Sequence, residues 1–540
     1  MGVGAVTITA LVAFTATAAN AAVPTDTSEL RDAVTAGAIM EHLAELQEIA
    51  DLNGDTRASG TEGYDLSVDY IEAQLLAAGY EVTRQDFLFN SFRELSEPVF
   101  DLVAPDQEPY EAGVDFFTAE YSGSGDVTAA LQAVDLVLPP GATASTSTSG
   151  CNPEDFDDFI AGNIALVQRG TCDFSVKAAN AFDAGAVGVI IFNEGQEGRT
   201  ETLNPTLGDQ FSDDIPVVGT SFEIGNELAE LLEQGTVTVR LMTDTLIELD
   251  VPTTNLIAET PTGRDDRVIM AGAHLDSVSE GPGIEDNGTG SGALLETALQ
   301  IAELGIEPRN TIRFAWWGAE EAGLVGSQYY VDSLEKSELK DIELYLNFDM
   351  IGSPNFARFV YDGDGDAFGI KGPSGSDDIE ALFTEFFSSQ GLASEPTAFD
   401  GRSDYDAFIS AGIPAGGLFT GAEDAKTEEQ VALYGGLAEF EGEPVSYDPC
   451  YHAACDSLTP VADGADAELY EALNDAYDGA LLYNGVISNV NQQVLEEMAD
   501  AVAHAILTYA MSTSSVNGTA KASPVAMEKV GDRLGSHFVH

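Results

Sequence analysis

The chain has 540 residues, too many for one ordinary hydrophobic core, so two or more folding units are expected. Asp and Glu number 92 against 21 Lys and Arg, a formal net charge of −71 spread along the sequence, which excludes a nucleic-acid partner because phosphates would be repelled. An apolar content of 44% with mean hydropathy near zero excludes a disordered chain.

Residues 4–19 are apolar and small, and Ala19-Asn20-Ala21 fits a cleavage site. Residues 1–21 therefore read as a secretory signal peptide, although no Lys or Arg precedes the apolar run. No later stretch is long and apolar enough to span a bilayer, so a soluble protein secreted to the extracellular medium is expected. Leu30, Val34, Ile39, Leu43, Leu46 and Ile49 recur at helical spacing and stop near Asn53-Gly54. Val68, Ile71 and Leu75 mark a second helix ending at Gly79, and Tyr80 to Phe89 reads as a strand.

The texture changes between 118 and 245. Gly-, Ser- and Thr-rich turns alternate there with short β-type runs at 133–137, 164–167, 187–192, 215–218 and 237–241. Beyond 246 the α/β pattern resumes, with strands expected at 268–273, 311–316 and 344–348. A mainly β unit at 118–245 is thus expected to interrupt an α/β domain made of 22–117 and 246–512. That domain should have a mixed central sheet flanked by helices. A polar tail at 513–540 is expected to be mobile, and Asn517 within it fits a glycosylation pattern.

Four cysteines in an exported chain suggest two disulfides. The local pairings, Cys151 with Cys172 and Cys450 with Cys455, need no contact between distant segments, and no C-x-x-C spacing points to zinc thiolates. The charge predicts a fold that leans on salt, because self-repulsion at −71 must be screened. Circular dichroism followed from molar to millimolar NaCl should show loss of structure; a spectrum indifferent to salt contradicts this.

The chemistry gathers at strand ends. His274 follows the apolar run Val268-Ile-Met-Ala-Gly-Ala, with Asp276 two positions on to orient the imidazole through its second nitrogen. Gly283-Ile-Glu-Asp-Asn-Gly-Thr-Gly-Ser-Gly places Asp286 in a glycine-rich loop before a helix. The next strand ends in Glu320-Glu321 and a third in Asp349, while His452 sits between Cys450 and Cys455. Acids at the ends of several buried strands resist desolvation unless cations neutralise them. Two His with three carboxylates suit a pair of divalent ions, with zinc favoured by the imidazoles. Tyr361-Asp-Gly-Asp-Gly-Asp366 offers a possible structural calcium, but it lacks a full EF-hand loop and reads as a turn of solvated acids. His42, His504, His537 and His540 have no metal-type context.

The segments GAHLDS, GIEDNGTGSG, WWGAEEAGLVGS, NFDMIG and DPCYHAACD, in this order, resemble the M28 family of zinc aminopeptidases of the secreted streptomycete leucine type. The likeness covers about 25–120 and 246–512, including Asn53-Gly-Asp-Thr-Arg57-Ala-Ser-Gly-Thr. Residues 118–245 resemble a protease-associated (PA) domain, through Cys151-Asn-Pro, Ile164-Ala-Leu-Val-Gln-Arg-Gly-Thr-Cys172, Gly185-Ala-Val-Gly-Val and Ile215-Pro-Val-Val.

The resemblance implies two zinc ions per chain bridged by Asp286. His274 and Asp349 would complete one set of ligands, and His452 and Glu321 the other. It implies Glu320 as general base, Tyr451 as the phenol facing the oxyanion, Arg402 as a substrate-binding arginine, and Met350 and Phe419 as walls of the S1 pocket. It also implies a cis peptide between Asp286 and Asn287. The expected activity is removal of N-terminal, Leu-like residues from peptides by a monomer. A carboxypeptidase or dipeptidase on the same scaffold would need a cationic pocket, for which Arg402 is the one candidate in the matched segments. A single-zinc glutaminyl cyclase and a catalytically dead receptor both fit less well, since no ligand is missing.

Overall fold

The computed structural model describes residues 25–517 apart from 197 and 209. The expected signal peptide and the chain beyond 517 lie outside the described residues. Two eight-stranded sheets organise the fold. In spatial order the first contains Glu81–Glu94, Thr245–Glu259, Thr311–Trp317, Val268–His274, Ile342–Phe348, Ala415–Phe419, Phe359–Tyr361 and Glu395–Thr397.

The strands at 311–317, 268–274, 342–348 and 415–419 run parallel to one another, with antiparallel strands on either side. Parallel strands covered on both faces need near-continuous apolar runs, and Val268–His274 and Ile342–Phe348 are buried at every position. Helices Ala36–Leu52, Glu62–Ala78, Gly290–Glu303 and Gln492–Met511 supply Leu43, Val68, Leu294 and Val502 to one core with Ile269, Phe314 and Leu346. The opposite face packs Tyr330 and Phe408 on Trp317 and Tyr345.

The first helical stretch is two helices, Ser28–Ala33 and Ala36–Leu52, and not one. Thr35 breaks it by accepting a hydrogen bond from the Ala38 amide, a capping geometry that starts the second helix. Glu62–Ala78 stops where expected, at Gly79, whose φ of 91° a side chain would oppose.

The inserted unit begins earlier than residue 118. Its sheet runs Glu108–Tyr110, Val99–Ala104, Thr238–Thr243, Gly125–Ala133, Ile164–Gln168, Gly188–Phe192, Val217–Thr220 and Phe116–Thr118. Three strands that start before 118 thus belong to its sheet. They are short, and 99–104 buries only Phe100 and Leu102, which is a weak signal in sequence. The strand expected at 133–137 ends at Ala133 and starts at Gly125. Helices Phe174–Asp183 and Phe222–Gln234 cover this otherwise β unit.

The antiparallel pair Glu81–Glu94 and Thr245–Glu259 carries the chain into and out of the insert. Its Phe92 and Ile247 pack on the insert's core. Disulfides join Cys151 to Cys172 and Cys450 to Cys455. Residues 513–517, expected to begin a mobile tail, are packed instead: Thr513 and Val516 are buried, and the Asn517 amide donates to the Glu343 carbonyl and carboxylate at 3.1 and 2.7 Å.

Candidate metal centre

Register decides what the sheet presents at its carboxyl edge. His274 lies opposite Trp317, Gly272 opposite Asn347, and Phe348 opposite Leu418, so the parallel strands end at one level. His274, Glu320, Glu321 and Asp349 therefore converge there, as open α/β sheets favour. The loop 284–289 brings Asp286 to them, and the Asp286–Asn287 peptide is cis. The Cys450–Cys455 loop supplies His452 from the far side, at a φ of 54°.

The five expected ligands meet. His274 Nε2 lies 3.2 Å from Asp286 Oδ1 and 3.2 Å from Asp349 Oδ1. His452 Nε2 lies 3.2 Å from Asp286 Oδ2 and 3.2 Å from Glu321 Oε2. Asp286 thus turns one oxygen to each imidazole. Each Nε2 has at most one proton for two facing carboxylate oxygens, and Glu321 Oε1 is buried with no hydrogen-bond partner among the described residues. Cations satisfy such a set where protons do not.

The electrostatics agree. Burial opposes charge on His274, yet Glu320 and Asp349 hold its pKa well above the ordinary value. Burial likewise opposes charge on His452, but Glu321 and Asp286 raise it to about 10. Burial would lift Asp286, and the two imidazoles pull it well below the usual carboxylate range instead. Burial, reinforced by Glu321 and Asp404 and opposed by His274, pushes Glu320 well above its ordinary value. A buried cluster that must recruit imidazolium charge is suited to divalent ions. His274 Nδ1 lies 3.0 Å from the Asp276 carbonyl, a contact that directs the other nitrogen, Nε2, into the cluster.

That contact differs from the expected one. Asp276 orients His274 through its backbone carbonyl, while its carboxylate stands 3.8 Å from Nδ1 and accepts the Glu320 amide at 3.2 Å. The adjacent glutamates separate. Glu321 shares donor range with Asp286 and His452, whereas Glu320 Oε2 is 4.0 Å from His274 Nε2, in range of a cation with His274 and Glu321 but outside both Asp286-containing groups. Tyr451 stacks on His452 with ring centroids 3.8 Å apart, and burial pushes its pKa well above the ordinary value. Arg402 donates to Tyr451 Oη at 3.3 Å and to Glu423 at 2.8 Å. Arg402 is therefore engaged by an acid and a phenol, a poor receptor for a substrate carboxylate. Met350 and Phe419 line a cavity of about 620 Å³ that also contains the metal-facing side chains.

Several supporting residues escape sequence reasoning. The buried Asp456 carboxylate accepts the Glu285 and Asp286 amides at 2.8 and 3.0 Å. Asn489 donates to Asp456 at 2.8 Å and to Asp448 at 3.1 Å, tying the His452 loop to the Asp286 loop. Ser403 donates to Asp349 Oδ2 at 2.5 Å. Arg57, fully buried, donates to the carbonyls of Leu275, Pro282 and Gly283 and so braces the loop between His274 and Asp286. Asp456 closes the segment DPCYHAACD and Ser403 directly follows Arg402, whereas nothing in sequence marks Asn489.

The acidic turn at 361–366 is not simply solvated. Asp362 is buried and accepts the amides of Gly365, Ala367 and Phe368. Asp362, Asp364 and Glu380 stand within range of a shared cation, but Glu380 also serves the Gly363 and Asp364 amides. His42 bonds Tyr70 and Glu296, and His504 bonds Thr27.

The chain is similar to known aminopeptidases. The profile of Peptidase family M28 matches residues 255–475, and that of the PA domain matches 132–228. An aminopeptidase of Pseudomonas aeruginosa is 44% identical over 480 residues, covering 89% of this chain and 82% of that protein. Leucine aminopeptidase 2 of Trichophyton tonsurans is 41% identical over 432 residues, covering 79% and 80%. Among solved structures, the aminopeptidase from Aneurinibacillus sp. strain AM-1 superposes with a TM-score of 0.61 at 25% identity, covering 89% of this chain and 95% of that one.

Proposed function

The chain belongs to peptidase family M28, as an aminopeptidase carrying an inserted PA domain, and from that premise we propose that it is a secreted two-zinc enzyme preferring N-terminal Leu-like residues. The observation that carries the proposal is the division of Asp286, one oxygen toward His274 and Asp349, the other toward His452 and Glu321. His274, Asp286 and Asp349 would hold one ion, and Asp286, Glu321 and His452 the other. Imidazole with carboxylate donors favours zinc. Secretion is supported by the disulfides, and among the described residues no helix is long and apolar enough to cross a membrane.

Bound zinc supplies Lewis acidity, lowering the pKa of water toward neutrality and polarising the scissile carbonyl. Glu320 takes the proton from the attacking water and returns it to the leaving amine. Tyr451, kept protonated by burial, donates to the developing oxyanion, and Arg402 fixes the direction of its hydroxyl. Glu320 and Asp349 accept the substrate's free ammonium, which selects chain ends. Leucyl-p-nitroanilide should be cleaved and its N-acetyl form left intact; equal cleavage of both would sink the ammonium recognition.

Met350 and Phe419 give the side-chain pocket apolar walls. Burying a leucine-sized group contributes about 1.5–3 kcal/mol, and a glutamyl side chain would enter a site already crowded with acids. The leucyl substrate should exceed the glutamyl one at least about tenfold in kcat/KM. Equal efficiency at both low and high NaCl would overturn the apolar pocket.

A further inference from the structure

A second cavity, of about 410 Å³, lies where the insert meets the peptidase sheet. It reaches Glu321 and His452, which also line the first cavity, so the two spaces meet at the metal centre from different sides. Met350, Phe419, Glu320 and Asp349 belong to the first alone. A peptide with its N-terminal side chain against Met350 and Phe419 must send its remainder away from them. The second cavity, lined by Glu321 and His452, offers that remainder space beside the metal centre.

The walls indicate what that path accepts. Phe117 and Tyr121 come from the insert, and Phe92 from the strand that leads into it. Glu94, Glu120, Glu248 and Glu280 line the same space, where Arg93 is already paired with Glu248 at 3.1 Å and His452 is held by Asp286 and Glu321. The field there is therefore negative, within apolar and aromatic walls.

We propose that this cavity binds the segment of the peptide that follows the scissile bond. The cavity, with Phe117, Glu120 and Tyr121 of the insert and Glu94, Glu248 and Glu280 of the peptidase domain, thereby selects substrates, favouring cationic over acidic side chains just after the cleaved residue. The inference rests on the aminopeptidase reading of the Glu321–His452 site. It assigns the insert a part in specificity that no residue of the metal centre provides.

The test is the ratio of kcat/KM for Leu-Arg-Ala-Ala to that for Leu-Glu-Ala-Ala, measured on the full-length enzyme. A ratio within one preparation does not depend on how much enzyme is folded. The wild type should favour the Arg peptide by about fivefold or more, as several screened charge contacts allow. Glu280→Lys, at an exposed position, should cut that ratio about threefold, and Glu120→Gln should lower it separately. A wild-type ratio near one, or ratios unchanged in both variants, would overturn the proposal. Failure of the wild type to cleave leucyl-p-nitroanilide would instead sink the aminopeptidase reading beneath it.

Discussion

Glu320→Ala should lower kcat by about 10²–10⁴-fold, the range expected when a general acid–base group is removed, and leave metal content intact. Glu320 stands 4.0 Å from His274, within cation range of His274 and Glu321 but outside the two groups that share Asp286, so retained metal content in the variant is what marks it as a proton carrier and not a ligand. Glu321→Ala is the necessary contrast. Its Oε2 lies 3.2 Å from His452, so its removal should cost bound metal as well as activity. Elemental analysis of both variants beside their kinetics separates the two roles. If Glu320→Ala lost metal and Glu321→Ala kept it, the assignment within the pair would be reversed.

Asp286→Asn should bring activity to background and empty both metal positions together. The substitution preserves shape, which matters in a loop whose Asp286 and Glu285 amides are both held by Asp456. It removes the charge and leaves one acceptor oxygen where two are used, one toward each imidazole. The neighbouring carboxylates would then face His274 and His452 without the group that joins the two halves. Circular dichroism should be close to wild type while metal content falls. Retention of normal metal content by Asp286→Asn would contradict the bridging role.

Much of the peptidase sheet is legible because its strands are buried on both faces. Val268–Ala273 is therefore written as an unbroken apolar run and Ile342–Phe348 as one interrupted only by Glu343 and Asn347, and the polar residue that follows each is conspicuous. His274, Glu321 and Asp349 stand out for that reason, and His452 because a short disulfide loop encloses it. The strands at 99–104 and 125–133 are covered unevenly and carry no such signature, which is why the insert begins earlier than its texture suggests. The split of the first helix at Thr35 depends on one side-chain cap inside an otherwise continuous apolar period. Asn489, and the bracing role of Arg57 within its matched segment, are hidden for a different reason: their partners are loop carbonyls and carboxylates remote in sequence, which only the folded chain brings together.

The most direct test of the two-ion centre is the zinc content of fresh enzyme, followed by stepwise return of zinc to chelated enzyme while leucyl-p-nitroanilide hydrolysis is recorded. The geometry of Asp286 between His274 and His452 predicts about two zinc ions per chain, with full activity only when both are restored. Full activity at one zinc per chain would contradict it.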